Sequence, residues 1–530
     1  MRAITNGSRS ALLLAILVVL THGYFYNGAG WNQGARLGSI FAFVEPGPDQ
    51  WSFRIDRFLK DAERGIVTGD WARVGDTHYS NKAPGTTFLG VPWYFALFHL
   101  ERAAGVDPTS PRWTLVNGYA LSLVCGALWV AAAAAAFVRF LVGTRRWTER
   151  DALAAACVFA FATLVFPFDS SLWGHPAAAA CGLLGAIFLL RAADDAHGDD
   201  AHAQPRARAR TNGSSRDLAL AGFFSAMALL TEYLSGISLV AAAAYVLLAR
   251  RLRPRAALFF LGAAIPVAAL LIYQKSLFGG FLTTATSLQN PGFLGARRGE
   301  AMFGAPSLEI AAAMLVSLHR GLFVFMPVLV FAVFGALRLA RSRASADRGL
   351  VALCAANTLG AILAVSCFKA GWHGGDSAGP RYLIGSIPFW CLLLPQVSSL
   401  SRAAGAAFAV ASALSLANML VINATTTMVP SDVPNPLFGA LYGALLRGEI
   451  GARAQVFSLG GVAFGYEGMI ALAPLVVVLG AGGWVLLRVS RAPRASRTAH
   501  ASFCATPNAQ SASSPRAIAE APPPADAQDS

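Results

Sequence analysis

The chain has 530 residues, 55% of them hydrophobic and only 13% charged, about half the charged fraction of an ordinary soluble domain. Its formal net charge of +14 comes mostly from arginines that stand between apolar runs, which ties the excess to membrane topology and argues against nucleic-acid binding. Of the seven cysteines, none forms a Cys-x-x-Cys pair and six lie in or beside apolar runs, so they read as small core residues and not as a metal or disulfide framework.

Arg2 and Arg9 precede an apolar run from Ser10 to Tyr26 with no small-residue cleavage site after it. It reads as an uncleaved first span, with Tyr24-Phe25-Tyr26 as an interfacial aromatic belt. Further apolar runs give spans near 113–142, 151–168, 175–192, 218–234, 236–250, 256–277, 321–340, 349–368, 382–400, 402–423 and 467–488, each of a length suited to a bilayer or slightly under it. Arginines collect in alternate connections: Arg145, Arg146 and Arg150; Arg206, Arg208, Arg210 and Arg216; Arg250 to Arg255; Arg338 to Arg348; Arg402; and Arg488 to Arg494. Arginine beside a span marks the cytoplasmic side. All these clusters share one side when about twelve helices cross and both termini are cytoplasmic.

That count makes Thr86–Leu100, interrupted by Gly90 and Pro92, a helix lying in the outer interface and not a span. The expected architecture is an all-α polytopic domain over residues 1–490, with a large first outer loop at 28–112. Residues 193–217, acidic and then arginine-rich, read as a disordered connection. The Ala-, Pro- and Ser-rich stretch 491–530 reads as a solvated cytoplasmic tail.

The chemistry gathers in the outer loops. Loop one carries Asn32, Gln33, Arg36, Asp56, Arg57, Asp70, Asp76, His78, Tyr79 and Lys82. A long polar loop with this concentration of reactive side chains usually carries function. The second outer loop runs Asp169-Ser-Ser-Leu-Trp173-Gly-His175, and a glycine-rich one runs Lys369 to Tyr382 through His373, Asp376 and Arg381. Arg381 has the planar fork that grips phosphate; the alternative is a solvated interfacial arginine. Lys82 either meets a lipid phosphate or snorkels to headgroups. Asp56, Asp70 and Asp76 are candidate bases for an acceptor hydroxyl, or solvated carboxylates paired with Arg54, Arg57 or Arg73. His175, His373 and Asp376 lack diagnostic metal-ligand spacing, and no metal site is assigned.

Tyr79-Ser80-Asn81-Lys82-Ala83-Pro84-Gly85 resembles the "Tyr-x-x-Lys-Pro-Pro" or "Tyr-Ser-Asp-Lys-x-Pro-Gly" signature of the polytopic GT-C glycosyltransferases, of the family 39-like and lipopolysaccharide-modifying bacterial kind. The spacing of Asp70 and Asp76 before it is similar to that subgroup. So are Leu172-Trp173-Gly174-His175, Arg320-Gly321-Leu322-Phe323 through Pro327, and Gly379-Pro380-Arg381-Tyr382-Leu383. The resemblance implies inverting transfer of a sugar from a polyprenyl-phosphate donor to a lipid, glycan or protein acceptor at the periplasmic face of a bacterial inner membrane, with Lys82 on the donor phosphate. Some relatives use a divalent cation; no residue here calls for one, and no other cofactor or nucleotide site is expected.

One position departs from the pattern. Where many relatives carry an Asp-Glu pair early in loop one, this chain has Asn32-Gln33 followed by Arg36. A neutral amide takes no proton at ordinary pH, so the base moves to Asp56, Asp70 or Asp76, with Asn32 left to orient the sugar, or else catalysis is absent. Two other functions therefore stay open: a transporter or flippase for a lipid-linked glycan, which calls for charged residues deep within the spans, and a non-catalytic membrane protein derived from a transferase.

Overall fold

The computed structural model describes residues 6–28, 30–198, 206–292, 303–369, 371–450 and 456–491. The 491–530 tail, beyond Arg491, lies outside them. Among the described residues helices dominate, in the order α1 (Asn6–His22), α2 (Trp31–Val44), α3 (Gly85–Ala103), α4 (Pro111–Ser122), α5 (Leu128–Gly143), α6 (Glu149–Phe161), α7 (Val165–Phe168), α8 (Gly174–Gly198), α9 (Arg206–Thr231) and α10 (Gly236–Leu248). There follow α11 (Ala256–Phe278), α12 (Leu308–Val316), α13 (Leu322–Phe325), α14 (Val330–Ala340), α15 (Ser345–Ser366), α16 (Ile387–Leu392), α17 (Arg402–Thr425), α18 (Tyr442–Leu446), α19 (Leu459–Phe464) and α20 (Ala473–Arg491).

Among the described residues, six helical stretches are long and apolar enough to cross a membrane: 111–143, 174–195, 253–278, 345–366, 402–425 and 468–491. Four shorter apolar helices run 7–22, 233–248, 327–340 and 436–446. The bundle has a clear inside. Of the apolar window of 174–195, 89% is buried, whereas the figures for 253–278 and 468–491 are 33% and 17%. Leu261, Ile265, Ile272, Val476 and Val477 stand out from the surface, which suits helices whose outer faces meet lipid.

Several expected spans are not single helices. Residues 321–340 break at Met326 (φ −130°, ψ 68°) before Pro327, because proline restricts the residue before it to non-helical backbone. Residues 382–400 contain only the two-turn α16, flanked by 3-10 turns. The connection expected to be disordered at 193–217 is helical at both described ends, through Gly198 and from Arg206. Ion pairs Arg145–Asp194, Arg145–Asp347 and Arg191–Asp217 tie that end of the bundle together.

The fold also departs from all-α. Three two-stranded antiparallel ribbons are present: β1 (Phe25–Asn27) with β6 (Val456–Ser458), β2 (Lys60–Asp61) with β3 (Ile66–Val67), and β4 (Trp71–Val74) with β5 (Thr77–Ser80). Tyr24, Phe25 and Tyr26 are buried, at 4%, 2% and 2% exposure, so they form no interfacial belt. Tyr26 pairs with Phe457 across β1 and β6, sewing the start of loop one to the last loop. Loop one folds over a core of its own around Phe41, Phe58, Tyr94 and Phe98. There Arg64 grips both oxygens of Glu45 (2.9 and 2.6 Å) and Tyr94 donates to the same carboxylate (2.8 Å).

A second sealed pair fixes the loop-one end of α1. His22 Nδ1 lies 2.6 Å from Asp169 Oδ2, and its Nε2 lies 2.9 Å from the Ala160 carbonyl; both side chains are fully buried. Asp169→Ala leaves His22 Nδ1 buried without its partner, while Nε2 keeps the Ala160 carbonyl. A loss of about 3 kcal/mol is expected on breaking a buried pair, read as a lowered thermal midpoint in detergent, with Asp169→Asn losing less. An unchanged midpoint for Asp169→Ala would show the pair to be dispensable.

Candidate functional site

The site is assembled at one corner, where α9 ends. Glu232 follows Thr231 in extended backbone (φ −153°, ψ 119°), before a 3-10 turn at Tyr233–Ser235. Two glycines let other segments reach this corner. A Cβ on Gly85 would lie 2.7 Å from the Leu230 carbonyl, and one on Gly174 would lie 2.4 Å from the Thr231 oxygen and 2.8 Å from Arg36 Nη2. Only glycine permits backbone approaches this close. The Ala-Pro-Gly turn of loop one and the Trp-Gly-His entry to α8 therefore converge on Glu232.

Arg36 locks the three together. It is fully buried on α2. Its Nε donates to Asn32 Oδ1 (3.1 Å), its Nη1 to the Ala83 carbonyl (3.1 Å) and Thr86 Oγ1 (2.5 Å), and its Nη2 reaches Glu232 Oε2 (3.4 Å). Burial pulls the guanidinium below the usual arginine range, while Glu232 and Asp70 oppose that shift. Gln33, next to Asn32, bridges Tyr26 (2.6 Å) and the backbone N–H of Leu172 (3.3 Å), and accepts from Ser171. Gln33 is thus a structural linker between loops one and two, while Asn32 is tied to Arg36 on its own helix.

The β4–β5 hairpin presents Asp70 and Lys82 at its base, 2.9 Å apart between Oδ2 and Nζ. Both are largely buried, with side-chain exposures of 12% and 18%. Burial pushes the Lys82 amine below the usual lysine range; Asp70 counters this, while Arg381 and Arg36 push the same way as burial. That field brings Arg381 into the same group. Arg381 stacks on Trp173 (5.1 Å) and Tyr382 (5.5 Å). Trp173 in turn stacks on His175 at 5.8 Å and 23°, and His175 Nδ1 lies 3.5 Å from Glu232 Oε2.

The glycine-rich loop covers Arg381. Gly374 has φ +82°, and a Cβ there would sit 2.9 Å from Arg381 Nε. Arg320, fully buried, holds the loop through the carbonyls of His373 (3.3 Å) and Gly375 (3.5 Å). His373 Nδ1 accepts from the Gly375 N–H (3.1 Å). Burial and then Arg320 hold this imidazole below the usual histidine range, so it is neutral at pH 7 with its proton on Nε2. Asp376 accepts from the Ser431 backbone (3.0 Å) and anchors the loop's far side.

The predicted residues thus separate. Asn32, Arg36, Asp70, Lys82, His175 and Arg381 meet, with His373 adjoining through its loop. Asp56 is occupied with the hairpin, accepting from the His78 ring (2.8 Å) and the His78 N–H (3.2 Å). Asp76 is at the hairpin tip, 99% exposed and paired with Arg73 (2.7 Å); Gly75 there takes φ +59°, so the turn points the carboxylate into solvent. Tyr79 packs edge-on to Phe278 (5.9 Å) as part of the hairpin's footing. Glu232, which stands in no motif, is the residue that reasoning from loop one alone leaves out. Among the described residues no cluster of three or more His, Cys, Asp or Glu is arranged to hold a metal.

Fold and site together define a helical membrane protein with a largely buried, cation-rich site at one end of its bundle. No family model and no curated protein matches the sequence. Among solved structures, the chain is similar to ArnT from Cupriavidus metallidurans in the apo state, with TM-score 0.43, 16% identity, and coverage of 90% of this chain and 75% of that one. It is similar to the same protein bound to undecaprenyl phosphate, with TM-score 0.44, 16% identity, 91% and 74%. A third likeness is to the archaeal oligosaccharyltransferase AglB from Archaeoglobus fulgidus, in complex with an inhibitory peptide and a dolichol-phosphate, with TM-score 0.43, 13% identity, 92% and 56%. Scores and identities this low transfer no activity or residue role to this chain.

The corner's tightness is testable. Gly174→Ala is expected to cost about 1–3 kcal/mol as the Thr231 carbonyl and Arg36 are displaced, measured as a lower thermal midpoint. Gly143→Ala, whose Cβ meets nothing within 4 Å, serves as the unshifted control. Equal behaviour of the two variants would contradict the close approach.

Proposed function

We propose that this chain is an inner-membrane glycosyltransferase that moves a sugar from a polyprenyl-phosphate donor to a lipid, glycan or protein acceptor at the periplasmic face, with inversion. About twelve crossings with both termini inside would place loop one and the site in the periplasm. The observation that carries this reading is Arg381. Among the described residues its guanidinium has no carboxylate partner and no acceptor, and its Nε is buried without a hydrogen bond, yet it is held between Trp173 and Tyr382. An unpaired guanidinium with Lys82 in its field suits a phosphate, which accepts two parallel hydrogen bonds from arginine and a point charge from lysine.

The chemistry follows. As the sugar's anomeric carbon separates from the phosphate oxygen, negative charge grows on the leaving lipid phosphate. Lys82 and Arg381 stand fixed where that charge develops, and so need little reorganisation. Asp70 holds the Lys82 amine in place. The neutral His373, with its Nε2–H, and Asn32 are donors for sugar hydroxyls. The exposed apolar faces of α11 give the polyprenyl chain a lipid-side approach. The sequence motif around Lys82 supports the same assignment by resemblance.

Purified full-length protein in nanodiscs should bind undecaprenyl phosphate. Lys82→Ala and Arg381→Ala should each weaken that binding at least 10-fold, since a charged hydrogen bond is worth about 1.5–3 kcal/mol. Cells carrying Lys82→Ala should lose the sugar modification from their envelope glycans; unchanged glycans at normal protein levels would remove the proposal.

Binding should also titrate. Lys82 sits below its ordinary value of 10.5, so its positive charge is lost as pH rises through a range lower than for a free lysine. Affinity for undecaprenyl phosphate should accordingly decline with rising pH before 10.5. A flat profile in wild type, or the same decline in Lys82→Ala, would detach Lys82 from the phosphate.

A further inference from the structure

An inverting displacement onto a hydroxyl acceptor is helped by a general base that takes its proton, and the carboxylates at this end of the bundle are unequal. Asp56 is bonded to His78, Asp76 lies at the hairpin tip, Asp169 is sealed against His22, and Asp376 is tied to Ser431. Asp70 makes a direct ion pair with the lysine assigned to the donor phosphate. Asn32, at the position where the resemblance expects an acid, is an amide committed to Arg36.

Glu232 differs from all of these. Only its Oε2 is engaged, and loosely, at 3.4 Å from Arg36 and 3.5 Å from His175. Its Oε1 has no hydrogen bond among the described residues, while the side chain stays 17% exposed. The extended backbone at the end of α9, with Gly85 and Gly174 packed around it, sets this carboxylate against Arg36 and His175, and both of those side chains lie in the electrostatic field of Lys82.

We infer that Glu232 is the general base of the transfer, with Arg36 and His175 as positioning residues. This rests on the transferase reading above. Oε1 takes the proton of the acceptor hydroxyl, and the freed electron pair on that oxygen forms the bond to the anomeric carbon. The bond from that carbon to the phosphate oxygen breaks, and its electron pair leaves with the polyprenyl phosphate between Lys82 and Arg381. Glu232 returns its proton to solvent once the products depart. Arg36, tied at its other nitrogens, draws Oε2 towards itself and leaves Oε1 free for the acceptor.

The test uses full-length protein in nanodiscs, supplied with the host's total envelope lipid extract as the source of donor and acceptor. Native mass spectrometry reads undecaprenyl phosphate binding, and mass spectrometry of the lipids reads consumption of the lipid-linked sugar. Glu232→Gln should bind undecaprenyl phosphate within about twofold of wild type and consume donor about 100-fold more slowly, the usual scale for a lost base. Glu232→Asp, which keeps a charge opposite Arg36, should fold as wild type and recover part of the rate. Consumption by Glu232→Gln within about threefold of wild type would overturn the inference, as would binding that falls in step with rate. Lys82→Ala in the same assay separates the two claims. If it loses binding and turnover while Glu232→Gln keeps both, the transferase reading stands and the base lies elsewhere. A wild type that neither binds nor consumes removes both.

Discussion

The site depends on where a single buried guanidinium finds its partners. Arg36 is sealed from water, and a charge there is tolerated only if its donors are satisfied and its charge is answered. The partners it finds come from three parts of the chain, two of them distant: Asn32 on its own helix, Ala83 and Thr86 in the turn after the hairpin, and Glu232 at the end of α9. Any fold that satisfies Arg36 in this way must bring the Lys82 turn against the Glu232 corner. The two glycines then decide how close the approach can be, since either Cβ would strike backbone.

Arg36 and Arg381 show two uses of the same side chain. Arg36 is spent inside the structure, with hydrogen bonds or a charge on all three nitrogens. Arg320 is spent likewise, on loop carbonyls. Among the described residues Arg381 is stacked but otherwise unsatisfied, and stacking fixes the plane of its fork without using its donors. A cation whose position is over-determined and whose charge is unanswered is pre-organised for an anion that comes from outside.

Much of this was readable in the sequence, and the remainder was not for physical reasons. The apolar runs located the main helices, because hydropathy is local, whereas Lys82 stood out through the resemblance of Tyr-Ser-Asn-Lys-Ala-Pro-Gly to a family signature. Arg381 and His175 could be suspected because each sits at a helix entry beside glycine. The ribbons were missed because β1 finds β6 more than four hundred residues away, and no local pattern in Phe25-Tyr26-Asn27 announces that partner. The breaks at Met326 and around α16 reflect packing of short helices that hydropathy averages over. Asp56, Asp70 and Asp76 look alike in sequence, yet only tertiary contacts separate a hairpin brace, a lysine partner and a solvated tip. Glu232 carried a signal only as a lone carboxylate between two short apolar runs.

Asn32 and Glu232 make sense as one arrangement. Arg36 offers one positive charge, and Glu232 already lies against its Nη2. An aspartate at position 32 would put a second negative charge on the same guanidinium, a few ångströms from the first. Two carboxylates sharing one cation in a largely buried site repel each other, and one of them tends to stay protonated. The amide of Asn32 accepts the Nε–H without adding charge, so Glu232 is the one carboxylate that pairs directly with Arg36 among the described residues. That leaves Glu232 beside Arg36 and His175 through Oε2 alone, with Oε1 unbonded among the described residues. If Glu232 serves as the base, an amide at position 32 is the condition that lets a carboxylate from the end of α9 do so.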